Sequence, residues 1–211
     1  SRRRHTRCRE VSWARDVYKR QGLKIVIPSN SYDAKGLMIS AIRDDNPVMY
    51  FFHKGLMGLG WMPSPPEAAV EVPEEPYTVP IGEAKVVREG SDVTIVGVAK
   101  TVHEGIWAAE ELEKEGMSAE VIDLRSLVPL DKKTLLESVK KTGRLVIADE
   151  DYRSYGMSGE IIATVVENGI SLEAPPVRVA YPDVPVPYSR VLEKYVLPDK
   201  EKIINAVKSI M

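Results

Sequence analysis

Apolar positions along this chain recur at two periods, and their alternation predicts the fold. Val93-Thr-Ile-Val-Gly-Val-Ala99 is a short β-branched run between polar turns, which reads as a buried strand. From Thr101 to Glu115 the apolar residues Val102, Ile106, Ala109 and Leu112 return every three to four positions, the spacing of a helix face, and Gly116 ends it. A second strand, Ala119-Glu-Val-Ile-Asp-Leu124, precedes Asp131, an N-cap for a helix carrying Leu135, Leu136 and Val139 that Gly143 closes. Arg144-Leu-Val-Ile-Ala148 is the third strand. Strands alternating with helices of this length predict an α/β fold: a mainly parallel sheet with right-handed crossovers, covered by helices.

The flanking segments extend this pattern. Leu23–Ile27 predicts a strand, Tyr32–Arg43 a helix with Ala34, Leu37, Met38, Ala41 and Ile42 on its apolar face, and Pro47–Phe52 another strand. A lone βαβ unit cannot cover both faces of its strands, so residues 22–52 read as the tail of a second α/β domain, weakly protected when its neighbours are absent. Residues 53–77 turn Gly- and Pro-rich and read as a linker, in which Met57, Trp61 and Met62 are anchors on a neighbouring surface or the lining of a pocket. Residues 78–211 form the main domain. There Gly156 opens a helix with Ile161, Ile162, Val165 and Val166 on its inner face, and Pro176–Ala180 is a strand. The prolines of Pro182–Tyr188 enforce an extended loop before two final helices, Ser189–Tyr195 and Asp199–Ile210.

Charge changes the picture at one end. Residues 1–21 hold eight of the 29 Lys and Arg but two of the 31 Asp and Glu, leaving 21 basic against 29 acidic residues, a net of −8, in the remainder. This Arg-rich stretch has the character of a non-native leader, and an acidic body argues against nucleic-acid binding. No run approaches the roughly 18 apolar residues that a membrane span needs. With Cys8 as the single cysteine, no internal disulfide is possible, and a cytoplasmic setting is expected.

Ligands of parallel sheets gather beyond the carboxyl ends of the strands, here Lys100-Thr101, Arg125-Ser126, Asp149-Glu150-Asp151 and Asp183. The three acids around Glu150 read either as metal or general-acid groups or as a solvated or interface-facing acidic loop. His103 reads as a general base or anion contact, or as an exposed or hydrogen-bonded helix residue. Val96-Gly-Val-Ala-Lys-Thr101 has one glycine where a dinucleotide loop needs three, and no phosphate loop, zinc set or nucleophile elbow is present. From the residues alone the chain is an α/β domain without a complete active site. One function consistent with that is a free-standing module binding an anion at a helix N-terminus such as Thr101 or Gly156.

A more specific reading comes from five stretches: Pro28-Ser-Asn-Ser-Tyr-Asp-Ala-Lys-Gly36, Ala41-Ile-Arg-Asp-Asp-Asn-Pro47, Tyr77-Thr-Val-Pro-Ile-Gly82, Ala119 to Leu130 (AEVIDLRSLVPL), and Pro182-Asp-Val-Pro-Val-Pro-Tyr188. In this order, and spanning nearly all of residues 22–211, they resemble the beta subunit of the thiamine-diphosphate-dependent decarboxylating component of 2-oxo acid dehydrogenase complexes. The pyruvate and acetoin types are nearest. The resemblance implies that residues 22–52 end the pyrimidine-binding domain, that residues 78–211 are transketolase C-terminal-domain-like, and that the front of the subunit is missing. It implies a heterotetramer with alpha subunits and a second beta subunit, which oxidatively decarboxylates a 2-oxo acid and passes the acyl group to a lipoyl arm of the dihydrolipoyl acyltransferase core. The glutamate that activates the cofactor would precede Gly22, and the diphosphate and its magnesium would be held by the alpha subunit. No catalytic or cofactor-binding residue is therefore assigned here, and the present chain is expected to be inactive alone and to serve assembly and docking.

One site carries over by resemblance, and a second is expected from an exposed acidic set. A potassium site of the pyruvate type falls on Ala41, Ile42, Asp44 and Asn46, where carbonyls at a helix C-terminus lack intrahelical partners. Phe52 departs from the acid that relatives place before the His-Lys pair. Docking of the acyltransferase's subunit-binding domain falls on Asp199 and Glu201, beside the final helix.

Overall fold

In the computed structural model, which describes residues 22–58 and 65–211, the apolar runs become two sheets that share a seam. The first unit runs β1 (Lys24–Val26), α1 (Ser31–Arg43), β2 (Val48–Tyr50). The second begins with β3 (Lys85–Arg88), β4 (Val93–Gly97), α2 (Lys100–Lys114), β5 (Ala119–Asp123) and β6 (Ser126–Val128). It continues with α3 (Lys132–Thr142), β7 (Leu145–Tyr152), α4 (Met157–Glu167), β8 (Val177–Tyr181), α5 (Arg190–Val196) and α6 (Lys200–Lys208).

The main sheet has the order β3-β5-β4-β7-β8, parallel except for the antiparallel edge strand β3. Alternation along each strand sorts side chains to two faces. Ile95, Val121, Val146 and Val179 pack under α2 and α6 with Ala108, Leu112, Ile203 and Val207. Val96, Ile122, Leu145 and Ile147 face the other way, onto Leu135 and Val139 of α3 and Ile161 and Val165 of α4. Buried Thr94 would be costly in such a strand, and α3 satisfies it through Ser138 at 2.8 Å and Thr142 at 2.7 Å. The predicted caps hold: Asp131 accepts from Thr134 N at 3.0 Å, and Gly143 takes the left-handed conformation (φ 68°) that ends α3.

Three differences from the sequence reading matter. The edge strand β3 was not anticipated as part of the main sheet. β7 runs to Tyr152, so Asp149, Glu150 and Asp151 belong to the end of a strand rather than to a solvated loop. Most consequentially, the βαβ unit of residues 22–52 does not stand alone. β1 pairs in parallel with β2 and antiparallel with β6, giving a sheet of order β2-β1-β6 whose third strand comes from the main domain. Ile25, Val26 and Leu37 are consequently buried.

The segment joining the two units is strapped to α1. Lys35 Nζ donates to the carbonyls of Glu74 (2.9 Å) and Glu75 (3.1 Å) and to that of Pro73, and lies 5.3 Å from the Tyr77 ring centroid. Tyr77 stacks on Tyr32, centroids 4.4 Å apart. Gly36 makes this contact possible, because a Cβ there would collide with Val79 Cγ2 and lie 2.9 Å from Tyr77 Cε2. Helix propensity favours alanine over glycine by about 1 kcal/mol, but overpacking costs about 1–3 kcal/mol, so Gly36→Ala is expected to lower stability by about 1 kcal/mol or more in urea unfolding. Gly159→Ala in α4, where a Cβ meets nothing within 4 Å, is expected to be neutral or stabilising; destabilisation of similar size at both sites would contradict the close-approach account.

Candidate functional site

The carboxyl ends of β4, β5 and β7 are where a ligand would be sought, and the chain's own first unit lies across them. Ile27, Phe51, Phe52 and His53 meet Val98, Ala99, Leu127, Met157 and Asp149–Asp151 around a residual cleft of about 200 Å³. His53 Nδ1 accepts from Gly55 N at 3.1 Å, which leaves the ring proton on Nε2, 2.6 Å from Glu150 Oε2. This pair joins the segment after β2 to the end of β7.

Beside it is a buried polar knot. Arg125 follows β5 in the left-handed conformation (φ 53°), turning the chain sharply into β6 so that its carbonyl accepts Ile27 N at 2.8 Å. Its guanidinium reaches back to Asp33 Oδ1 of α1 at 3.1 Å and to the Glu83 carbonyl at 3.0 Å. Ser29 Oγ donates to Asp123, whose other oxygen accepts Arg125 N at 3.0 Å, and His103 Nε2 donates to the Ser29 carbonyl at 2.7 Å. Asn30 caps α1 through Asp33 N at 2.8 Å, and its amide donates to Asp33 Oδ2 at 2.7 Å. Burial pushes the Asp123 carboxyl up to about 7, against the Ser29 hydrogen bond and with Asp33 adding to the rise.

The sequence-derived candidates separate on this geometry. Of the three acids, Asp149 is buried and accepts from Asp151 N (3.0 Å) and from Ser158 N (3.2 Å) in the first turn of α4, while Glu150 and Asp151 are half-buried, Glu150 holding His53 and Asp151 accepting from Tyr152 N at 2.7 Å. Burial raises the Asp149 carboxyl above its ordinary range. His103 is a buried residue of the seam rather than an exposed helix position. At the start of α2, Thr101 N and Val102 N are bonded to Val98 O (3.1 Å) and Ala99 O (3.3 Å). Asp183 accepts Ser154 Oγ at 2.7 Å.

At the end of α1, Asp44 binds Lys24 Nζ and accepts from Asn46 N (2.9 Å) and Nδ2 (3.1 Å), and Lys24 holds its carboxyl down to about 2. The Asp44 carboxylate is thus neutralised already. The hard donors at this helix end are the main-chain carbonyls of Ala41, Ile42 and Asp44 and the side-chain oxygen of Asn46. Among the described residues no three of His, Cys, Asp and Glu gather as a metal cage, and no described helix is long and apolar enough to cross a membrane. Asp199 is the N-cap of α6, accepting Lys202 N at 2.9 Å and pairing with Lys202 Nζ at 3.1 Å, whereas Glu201 projects into solvent. Met57 is exposed at the edge of a second cleft, of about 390 Å³, bordered by Pro28 and Ala68. Trp61, Met62 and residues 1–21 lie outside the described residues.

Arg125 was named from sequence only as a strand end, and Ser29, Asn30, Asp33, Asp123 and His53 were not singled out for chemistry. A signal existed for one: Asp123 is an ionisable residue inside the apolar run Val121-Ile-Asp-Leu124, where burial demands partners.

A cleft of about 680 Å³ opens between Leu127–Lys132 and the start of α4, with Tyr155 at its rim. Nearby, Ser154 ties the chain to Asp183, and the segment beyond presents Val184, Val186, Tyr188, Val191, Leu192 and Tyr195 to solvent. None of the residues of α5 is buried.

Residues 82–203 match the family model described as transketolase, C-terminal domain. The chain is 43% identical over 196 residues to the pyruvate dehydrogenase E1 component subunit beta of Bacillus subtilis, covering 92% of the chain and 58% of that protein. It is 41% identical over 191 residues to the 2-oxoisovalerate dehydrogenase subunit beta of the same organism, covering 90% and 56%. For the pyruvate dehydrogenase E1 component subunit beta of Staphylococcus aureus the identity is 46%, with the same coverage of 90% and 56%. The chain thus spans a little over half the length of these relatives. A solved structure described as a split gene transketolase, inactive beta4 tetramer, superposes with a TM-score of 0.71 at 26% identity, over 90% of the chain and 57% of its own.

Proposed function

We propose, from the premise that this chain belongs to the transketolase C-terminal domain family, that it acts as the assembly part of a beta subunit in the decarboxylating component of a 2-oxo acid dehydrogenase. The observation that carries this reading is the exposed apolar segment from Val184 to Tyr195, with a helix that buries none of its residues. A contiguous apolar surface of this kind is stabilised by a partner that removes it from water. The similarity to both pyruvate and 2-oxoisovalerate relatives supports a 2-oxo acid as substrate of the complete enzyme. The beta tetramer of the structural neighbour supports self-pairing as one mode of assembly. The rival, a free-standing anion-binding module, loses its donors: Asp149 occupies the first turn of α4, and the first N–H groups of α2 are bonded within their own turn.

In this reading the alpha subunit and a second beta subunit cover the apolar segment, and the acyltransferase core docks through α6. Thiamine diphosphate in the assembled enzyme supplies the electron sink for decarboxylation, and magnesium accompanies its diphosphate. This chain's residues orient surfaces and exclude water at them. Glu201 is the docking contact that can face a basic partner, because it is exposed and only loosely paired with Lys200 Nζ at 3.8 Å, whereas Asp199 is engaged as a helix cap.

Sedimentation velocity tests the assembly. The chain is expected to sediment as an oligomer and to bind the alpha subunit of a pyruvate dehydrogenase E1 component, whereas Tyr188→Asp with Leu192→Asp stays monomeric and folded; a monomeric parent chain that ignores the alpha subunit would sink the proposal. With the acyltransferase's subunit-binding domain added, Glu201→Lys is expected to weaken binding most at low salt, where screening beyond about 10 Å is least. Binding indifferent to that reversal removes Glu201 from the interface.

For the cation proposed at Ala41, Ile42, Asp44 and Asn46, potassium chloride should raise the melting temperature above that in equal sodium chloride, and Asn46→Ala should abolish the difference. Identical melting in the two salts would remove the site.

A further inference from the structure

Asp123 has no solvent access and stands where the two units meet. The loop between β1 and α1 contributes Ser29, α1 contributes Asp33, and the turn after β5 contributes Arg125. His103 of α2 reaches the cluster through the Ser29 carbonyl, and Lys85, the cross-strand partner of Asp123 on β3, is itself exposed. The guanidinium of Arg125 is committed to Asp33 and the Glu83 carbonyl, so this cluster holds two carboxyl groups and one cation whose fork points at the other acid. An ionised Asp123 is therefore a second anion in a closed space, while a protonated one is a neutral partner for Ser29.

We infer that this seam is a proton-operated latch: with a proton on Asp123 the unit of residues 22–52 is held against the main domain, and loss of that proton loosens the hold. Peeling the unit away hydrates Asp123 and returns it to ordinary carboxylate behaviour, so closed and open states bind different numbers of protons. The direction follows from the carboxyl's rise from 3.8 to about 7 in the closed seam. Its contribution is complete below the ordinary value and is lost as pH climbs through about 7, above which no further change is expected. His53 and its partner Glu150 also bridge the two units, and neither is hydrogen-bonded to Asp123 or Ser29.

Hydrogen exchange on the full chain reads the latch directly. Ile27 N donates across the seam to Arg125 O, whereas Leu124 N donates to Gly97 O inside the main sheet. Between about pH 5 and 7 the protection factor of Ile27, corrected for intrinsic exchange, should fall by up to about tenfold per pH unit and then level, while that of Leu124 stays constant. Asp123→Asn should make the Ile27 profile flat. A flat profile in the parent chain, a slope that survives in Asp123→Asn, or Leu124 falling in step would overturn the inference. Should Asp123→Asn fail to fold, carboxyl ¹³C titration of the parent chain decides. A midpoint near 7 that tracks Ile27 supports the latch, and a midpoint in the ordinary carboxylate range ends it.

Discussion

Everything in this structure turns on the contact between the Arg125 guanidinium and the Asp33 carboxylate, both nearly closed to solvent. A buried charge pair is tolerated only when geometry is good and the remaining hydrogen-bonding capacity is used. Here Arg125 also holds the Glu83 carbonyl, Asp33 is held by Asn30, and the backbone turn that aims the arginine delivers β6 to β1. One side chain thereby fixes the direction in which residues 22–52 lie on the main domain. Apolar contacts around Val26, Leu37 and Val79 then exclude water from that arrangement.

Fixing the first unit there has a functional consequence. The crevice beyond the parallel strands, where open α/β sheets place their ligands, is largely filled by Ile27, Phe51, Phe52 and His53. The cleft of about 680 Å³ beside α4 and the exposed segment around Tyr188 present apolar groups that a neighbouring subunit would cover in the proposed reading. A scaffold that narrows its own crevice and leaves a helix unburied is consistent with the assembly role proposed for it.

The main sheet and its helices were legible in the sequence because each rests on local rules: strand runs bounded by polar turns, Asp131 and Gly143 as caps, prolines excluding a helix from 182 to 188. The seam was not. β6 spans three residues, too short for any period, and its partner β1 lies about a hundred positions earlier, so neither propensity nor pattern reports the pairing. The knot was hidden for the same reason, since Asp33 and Arg125 are 92 positions apart. Its two halves nevertheless fall inside Pro28–Gly36 and Ala119–Leu130, stretches that had drawn notice for their resemblance rather than their chemistry. Reading Asp149 as a loop acid failed because the strand continues past an irregular register to Tyr152, which carries the carboxylate to a helix N-terminus.

The central claim is that Asp33 and Arg125 act as one unit that joins the two parts of the chain. A double-mutant cycle, Asp33→Ala and Arg125→Ala singly and together, measured by urea unfolding at one pH, isolates that interaction. Each single change should cost about 3–5 kcal/mol, because it strands a buried partner, and the double change should cost less than the sum by about 2–3 kcal/mol. Strict additivity within about 0.5 kcal/mol would mean the two residues stabilise the fold independently, and would contradict the account.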